Sequence, residues 1–281
     1  MKSNLIIWKR KSIAAVATGI LLLSSAPIFA DGTNDPMVEL KGLVAQINAK
    51  IARGDREETD FGPEIKQFDN LLAEHHGEKT DAVAQILYMK VVLYSDVFGD
   101  TTEADALIKQ LKTDFQGTRL VSLIEQQEAR EAEAKKIQAS LVVGSKFPVF
   151  NEQDSNGKPL SISDYKGRVV LVEFWATWCG PCRVELPNVV AAYQKYHDKG
   201  FEIVGISLDQ DKQKLRDFTQ QQGMTWPQFF DGQKWDNKLA LKYGVESIPA
   251  SFLLDGNGII IAKDLRGDEL DAAVASAVAS N

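Results

Sequence analysis

The order of hydrophobic and polar positions divides the chain into two parts with different periodicities. From Met37 to about Leu141, apolar residues recur every three or four positions, which is the spacing of amphipathic helices. Glycine-containing breaks separate these helices, at Gly54, Gly62, Gly77, Gly99 and Gly117. After residue 140, short apolar runs alternate with helical patterns. The pattern therefore predicts an α-helical domain over residues 31–140, followed by an α/β domain over residues 141–281.

Two apolar runs dominate the second part and predict buried strands. These are Val169–Trp175 and Phe201–Leu208, and each is followed by a segment with helical spacing. Shorter runs predict a leading hairpin and two closing strands, at 142–150, 160–162, 248–255 and 259–263. Strands that alternate with helices and end in a hairpin and a helix favour a mixed sheet with helices on both faces.

The first 30 residues form a separate segment. Basic residues between Lys2 and Lys11 precede an uncharged apolar run from Ile13 to Ala30. This layout is typical of a secretory signal peptide and predicts cleavage after Ala30. Retention as an N-terminal membrane anchor is the alternative, because the run is close to the lower length limit for a membrane span. Both alternatives predict an exported protein, either periplasmic or otherwise extracytoplasmic.

The amino-acid composition and the net charge argue against two classes of binding partner. The 281 residues include 44% hydrophobic and 25% charged residues, which is an ordinary balance for a globular protein with a sizeable core. The net charge is −7, and removal of the basic N-terminal segment would make the protein more acidic still. An acidic chain is a poor match for nucleic acid or for an anionic membrane surface, so we expect neither as a partner.

The candidate chemistry lies in the only two cysteines, Cys179 and Cys182. They follow the buried run Val169–Trp175 and open the next predicted helix, where backbone N–H groups and the helix dipole favour a thiolate at Cys179. Cys182 lies one helical turn further on, near enough to attack a mixed disulfide at Cys179. Outside the reducing cytosol a disulfide between them can persist, so keeping the pair reactive requires a dedicated redox partner.

Two other uses of a Cys-x-x-Cys pair are less favoured. A zinc site needs about four ligands, whereas this pair supplies two and no second pair is present in the sequence. A purely structural disulfide across so short a loop would remove little chain entropy from the unfolded state. We therefore expect a redox-active pair that needs neither a metal nor a cofactor.

The residues around the cysteines resemble a known family. The sequence Phe174–Cys182, with Ile248–Pro249 just before a later strand, resembles the thioredoxin superfamily. Three further elements resemble the exported, often membrane-tethered TlpA and ResA type thiol-disulfide oxidoreductases, namely Gly144–Phe150, Leu160–Gly167 and the extra helix after Leu208. The resemblance covers roughly residues 141–281, which predicts a thioredoxin fold there. It leaves the helical part outside.

This resemblance implies roles for individual residues. Cys179 would be the attacking thiol and Cys182 the resolving one. Pro249 would be a cis-proline facing the disulfide, and Ile248 would expose its backbone to an extended substrate strand. The full set of implied substrate contacts is Trp178, Gly180, Pro181, Ile248 and Pro249.

Two glutamates have candidate roles in proton transfer and pKa tuning. Glu173 precedes Cys179 by six residues, at the position where cytoplasmic thioredoxins place a buried Asp and ResA-type proteins often have a neutral residue. A carboxylate within this apolar run should have a raised pKa and could accept the proton of Cys182, unless it is solvated or otherwise paired. Glu185 matches a glutamate near the active site of ResA-like proteins, where it would tune a pKa. The alternative is a first-turn acid favoured by the helix dipole.

The sequence therefore predicts a thiol-disulfide oxidoreductase that reduces client protein disulfides. Its partners would be disulfide-bearing proteins and an upstream thiol-disulfide electron donor, and residues 1–30 would be a possible membrane tether. The Gly180–Pro181 pair between the cysteines resembles that of reducing thioredoxins. One alternative is a thiol peroxidase, although Ala176 stands where peroxiredoxins place a Thr. A second is a client-binding or chaperone-like helical module with a secondary redox centre.

Overall fold

A computed structural model describes residues 35–280. The segment interpreted as a signal peptide or anchor, residues 1–30, lies outside the described residues. Contacts divide the chain into two compact units, one ending at Gln127 and one beginning at Glu128. Each unit contains a hydrophobic core of its own. The predicted division at residue 140 remains a prediction, and the division by contacts falls inside a continuous helix.

Amphipathic helices build the first unit, as the periodicity predicts. They are α1 (Pro36–Arg53), α2 (Gly62–Glu74), α3 (Asp81–Val92), α4 (Thr101–Asp114) and the start of α5 (Arg119–Ser140). A π-helical turn, Leu93–Phe98, continues α3. The Asp35 carboxylate caps α1 by accepting the N–H of Met37, and Gly54 ends the helix in the left-handed region. Phe61, Phe68 and Leu111 are fully buried in the core of this unit.

The second unit is a mixed sheet flanked by helices. Its strands are β1 (Asn151–Gln153), β2 (Pro159–Ser161), β3 (Val169–Trp175), β4 (Phe201–Ser207), β5 (Gln228–Phe230), β6 (Ala250–Leu254) and β7 (Ile260–Lys263). Its further helices are α6 (Gly180–Tyr196), α7 (Lys212–Gln221), α8 (Lys238–Lys242) and α9 (Gly267–Ser280). This arrangement confirms the predicted fold class.

Strand β3 occupies the centre of a five-stranded sheet with the order β5-β4-β3-β6-β7. It runs parallel to β4 and antiparallel to β6, and all seven of its residues are buried. A strand covered on both faces needs a continuous apolar run, which is why its sequence does not alternate. Glu173 is the one charged residue in β3, and it lies opposite Gly205 on one side and Ser251 on the other.

The expected strand at 142–150 is wrong. The structure has only a single bridge there, between Lys146 and Ile259, and the hairpin before β3 consists of β1 and β2 instead. Gly144 takes a positive φ of 91°, and Pro148 provides no N–H, so this run cannot form a regular strand. The apolar side chain of Val149 is exposed, which explains the misleading hydrophobic pattern.

None of the helices between residues 35 and 280 combines the length and the apolar character needed to cross a membrane.

Candidate redox site

The two cysteines lie where β3 ends and α6 begins, and they form a disulfide. Cys179 is the N-cap of α6, and its Sγ accepts the backbone N–H of Cys182 at 3.2 Å. Pro181 occupies the first turn, where a missing N–H leaves no helical hydrogen bond unmade. An N–H group aimed at the sulfur, together with the helix dipole, favours negative charge on Cys179 once the disulfide is reduced.

The predicted substrate-contact residues surround this disulfide. The Cys179 Sγ lies 3.7 Å from the carbonyl oxygen of Ile248, and the Ile248–Pro249 peptide bond is cis. Ile248 and Pro249 are half-buried, whereas Gly180 is exposed. Trp178 is 46% exposed, which is unusual for so large an aromatic side chain beside a buried disulfide. The structure therefore places backbone and aromatic surface next to the more accessible end of the Cys pair.

Glu173 lies inside the sheet on the strand that leads to Cys179. The residue is only 4% exposed, and its Oε2 has no hydrogen-bond partner among the described residues. Burial raises the pKa of the Glu173 carboxyl to about 7, the nearby Arg266 opposes this increase, and Glu185 adds to it. A carboxyl with a pKa near neutrality can take up or release a proton under ordinary conditions. The alternative of a solvated carboxylate does not apply in this structure.

Glu185 connects α6 to the start of α9. It is buried in the second turn of α6, where its Oε1 accepts the N–H of Gly267 at 2.9 Å and its Oε2 accepts the Asn188 side-chain amide at 3.2 Å. It is therefore not a first-turn acid placed for the helix dipole. Through its charge it also contributes to the raised pKa of Glu173.

Comparisons with known proteins agree with this geometry. The Redoxin family matches residues 142–279. The thiol-disulfide oxidoreductase ResA of Bacillus thuringiensis (strain Al Hakam) is 37% identical over 120 residues, which cover 42% of this chain and 67% of ResA. The chain belongs to the ResA/TlpA-like thiol-disulfide oxidoreductases of the thioredoxin superfamily. The ResA of Bacillus subtilis (strain 168) is 33% identical over 122 residues, which cover 43% of this chain and 66% of that protein.

Among solved structures, the ResA-like domain is similar to the thioredoxin domain of a thiol-disulfide oxidoreductase from Bacteroides vulgatus. The identity is 34%, the TM-score is 0.46, and the match covers 50% of this chain and 99% of that structure. The Redoxin match begins at residue 142, after the helices of the first unit. Among residues 35–280, no three His, Cys, Asp or Glu side chains are grouped so as to hold a metal ion.

Sequence reasoning missed Arg266, which supports the ResA-like site from beside the sheet. Its Nη2 donates to the carbonyl oxygen of Pro249 at 2.6 Å, and its Nη1 contacts the Ser251 hydroxyl at 3.4 Å. The guanidinium therefore holds the chain just after Ile248 and brings positive charge to Glu173. The sequence gives little indication of this role, because it depends on how β7 and the following loop fold back beside β6.

Asp209 is a second residue that sequence reasoning missed. Its buried carboxylate accepts the backbone N–H of Thr177, the Thr177 hydroxyl at 2.6 Å and the Ser207 hydroxyl at 2.9 Å. These contacts fix the loop two residues before Cys179. One feature of the sequence points to Asp209, because it closely follows the buried strand β4, which runs parallel to the strand that leads to the cysteines. The carboxyl ends of parallel neighbours lie at the same edge of a sheet.

Proposed function

We propose that the protein reduces disulfide bonds of exported client proteins by dithiol-disulfide exchange through Cys179 and Cys182. The observation that carries this proposal is the placement of the Cys179 sulfur. It lies at the start of α6, accepts the Cys182 N–H, and lies beside the Ile248 carbonyl. The Cys179 sulfur and the backbone of Ile248 thus lie side by side, where an extended client segment would meet both.

In the reduced protein, the Cys179 thiolate attacks one sulfur of a client disulfide. The client S–S bond breaks, one client sulfur leaves as a thiolate, and Cys179 is joined to the other in a mixed disulfide. Cys182 then loses its proton and attacks the Cys179 sulfur, which releases the second client thiolate. The client gains two electrons, and the protein is left with the Cys179–Cys182 disulfide seen in the structure.

Glu173 serves this mechanism as the acceptor of the Cys182 proton. Its buried carboxyl has a pKa near neutrality and has an oxygen without a hydrogen-bond partner among the described residues. A general base works best when its pKa lies close to the working pH. Glu185 on α6 and Arg266 in the loop before α9 set the electrostatic surroundings of that carboxyl.

The client segment lies along the backbone of Ile248 and Pro249, beside Trp178, Gly180 and Pro181. An upstream thiol-disulfide donor then reduces the Cys pair again. This cycle takes place outside the cytosol, where residues 1–30 direct the protein as a signal peptide or hold it as a membrane tether. The Cys179–Cys182 disulfide suits that location, because disulfides persist outside the reducing cytosol.

Trapping tests the order of attack. In the Cys182→Ser variant, the mixed disulfide at Cys179 has no resolving thiol, so clients should remain covalently bound and be released by dithiothreitol. The matched Cys179→Ser variant should trap none. We also expect the pair to have a reduction potential near that of thioredoxin, about −270 mV, rather than the value of about −120 mV typical of dedicated oxidants. A potential near the oxidant value would overturn the reductase assignment.

A further inference from the structure

A short loop over residues 233–237, here called the Trp235 loop, lies against the exposed tryptophan beside the disulfide. The ring centroids of Trp178 and Trp235 are 5.9 Å apart, in an edge-to-face arrangement. The Lys234 Nζ lies 5.6 Å from the centroid of the Trp178 ring, within range of a cation–π interaction. The residue that precedes Cys179 is therefore in contact with two side chains from a different part of the chain.

Hydrogen bonds and an ion pair at residues 235–237 hold the Trp235 loop in place. Lys234 takes a left-handed backbone conformation with a φ of 52°, which non-glycine residues rarely adopt. Asn237 is fully buried, caps the next helix and donates to the Ser207 carbonyl oxygen at 3.2 Å. The guanidinium of Arg130 donates to the carbonyl oxygen of Trp235 and forms an ion pair with Asp236 at 2.8 Å. These contacts hold the loop before any client arrives.

Arg130 lies outside the range that the Redoxin family matches, yet the second half of α5 is firmly placed within the second unit. The Gln138 side-chain amide donates to the Tyr243 carbonyl oxygen at 2.6 Å, and the Lys263 ammonium donates to Gln138 at 2.8 Å. Gly244 lies against the backbone of Ala134 with no room for a side chain. The residues before 142 thus contribute to the surroundings of the disulfide through Arg130.

The charges on the Trp235 loop are not equivalent. Asp236 is paired with Arg130, whereas the exposed Lys234 ammonium has no carboxylate partner among the described residues. A free cation over a half-exposed indole attracts a carboxylate, while the two tryptophan rings provide apolar surface for the rest of a side chain. The protein as a whole has a net charge of −7, so this local cation differs in sign from the overall charge.

We propose that the Trp235 loop is a second substrate-contact surface that favours client disulfides with an acidic side chain next to the attacked cysteine. The proposal rests on the proposed disulfide reductase function. In it, Lys234 attracts the carboxylate, Trp235 supports Trp178, and Arg130 is a positioning residue that holds the loop.

The test uses the full chain and three disulfide-bonded peptides that differ only in the residue beside the cysteine, which is Asp, Asn or Lys. Reduction of each peptide is followed with the wild type, Lys234→Ala and Lys234→Glu. The control is Lys166→Ala, because Lys166 is an exposed lysine that precedes β3, at the opposite end of the strand from Cys179. An exposed ion pair should change kcat/KM by about three- to fivefold in favour of the Asp peptide over the Asn peptide.

The preference for Asp should disappear in Lys234→Ala and reverse in Lys234→Glu, while Lys166→Ala keeps the wild-type preference. It should also weaken in high salt, which screens exposed charges. If the wild type reduces all three peptides at equal rates, the loop proposal is wrong and the reductase function stands. If the wild type reduces none of them in a Cys179-dependent way, the reductase function fails and the loop proposal fails with it.

Arg130 requires a separate readout, because loss of an anchor can also lower stability. Arg130→Ala should lower the ratio of kcat/KM for the Asp peptide to kcat/KM for the Lys peptide, while the enzyme still reduces the Asn peptide. Arg130→Lys should restore part of that ratio. Combining Arg130→Ala with Lys234→Ala should cause no further loss of the ratio, because both changes act through the same contact. Additive losses of the ratio would show that Arg130 does not act through the loop.

Discussion

At the scale of single residues, the buried carboxyl of Glu173 lowers the stability of the fold. A carboxyl that is 4% exposed in the middle of an apolar strand is destabilising when it is ionised. The guanidinium of Arg266 reduces this cost but does not remove it, since the pKa of Glu173 still rises from its ordinary value of 4.5 to about 7. Groups with such shifted pKa values are concentrated at functional sites.

The stability of the oxidised protein should therefore depend on pH through Glu173. Between pH 4.5 and about 7, the unfolded chain has lost this proton while the folded chain still binds it. The unfolding free energy consequently falls as pH rises through that window, by about 3 kcal/mol from this group. We expect Glu173→Gln to lack this fall, and chemical denaturation at pH 4.5 and pH 8 measures the difference.

A surface variant provides the comparison for this experiment. Glu269→Gln also removes one carboxylate, but from an exposed position at the start of α9. The buried variant should gain stability relative to the wild type as the pH rises, and the surface variant should not show that gain. Parallel pH curves for the wild type and Glu173→Gln would contradict the role of burial.

Residues whose position follows from local pattern were predictable, and residues that depend on long-range register were not. The Cys-x-x-Cys pair and Glu173 belong to one strand and the helix that follows it, so their burial and neighbourhood could be inferred from the sequence. Their catalytic roles remain predictions. Arg266 and Asp209 reach the site from loops that follow other strands, and a single sequence does not give the register that places them there.

At the scale of secondary structure, the close approach of α5 to the segment before β6 depends on one glycine. A Cβ at Gly244 would lie 2.6 Å from the Ala134 carbonyl oxygen, and the residue has a φ of 61°. Backbone cannot move away as a flexible side chain would, and the left-handed conformation alone costs roughly 1–2 kcal/mol for a residue with a side chain. The second half of α5 is therefore fixed by packing that only glycine permits.

We expect Gly244→Ala to destabilise the second unit by roughly 3 kcal/mol and to lower amide protection along residues 130–140. Gly223→Ala is the matched control, because Gly223 has a similar φ of 69° but nothing within 4 Å of the added Cβ. The control should lose only about 1 kcal/mol, with unchanged protection of α5. Equal losses in the two variants, measured by denaturation and hydrogen exchange, would show that the contact with Ala134 contributes nothing.

The strand predicted at 142–150 is absent because an apolar run does not by itself define a strand. An apolar run resembles a strand whether its side chains enter the core or lie on the surface. In this run Phe147 and Phe150 are buried while Val142 and Val143 are exposed, so the pattern contains both cases. The long runs of β3 and β4 were unambiguous because both faces of each strand are covered.

At the scale of the whole molecule, each unit has its own core. Phe68 is fully buried in the first unit and Ile203 in the second. We expect two transitions in calorimetry. Phe68→Ala should lower the midpoint temperature of one transition by more than about 10 °C, since such a truncation lowers the unfolding free energy by about 3–5 kcal/mol. Ile203→Ala should lower the other. A single transition that both variants lower equally would contradict this expectation.

The change of periodicity near residue 140 predicts a domain boundary there, and this boundary remains a prediction. The place where contacts divide the chain, after Gln127, was not visible, because α5 continues across it without a break in helical pattern. The mixed charge and the high alanine content of this helix are typical of a solvated connector. Only the contacts of Arg130, Ala134 and Gln138 reveal that its second half packs on the redox-active unit.

Residues 144–155, which precede β3, contact both outer strands of the five-stranded sheet. Near one edge, Ser155 donates its N–H to Gln228, and Asp154 forms a bridge with Phe229. At the other edge, Gly144 donates to the carbonyl oxygen of Ile260, whose N–H donates to Ser145. Open strand edges are templates on which other chains add strands and aggregate. Because this stretch occupies part of both edges, fewer backbone groups of the outer strands are open to strand addition by other chains.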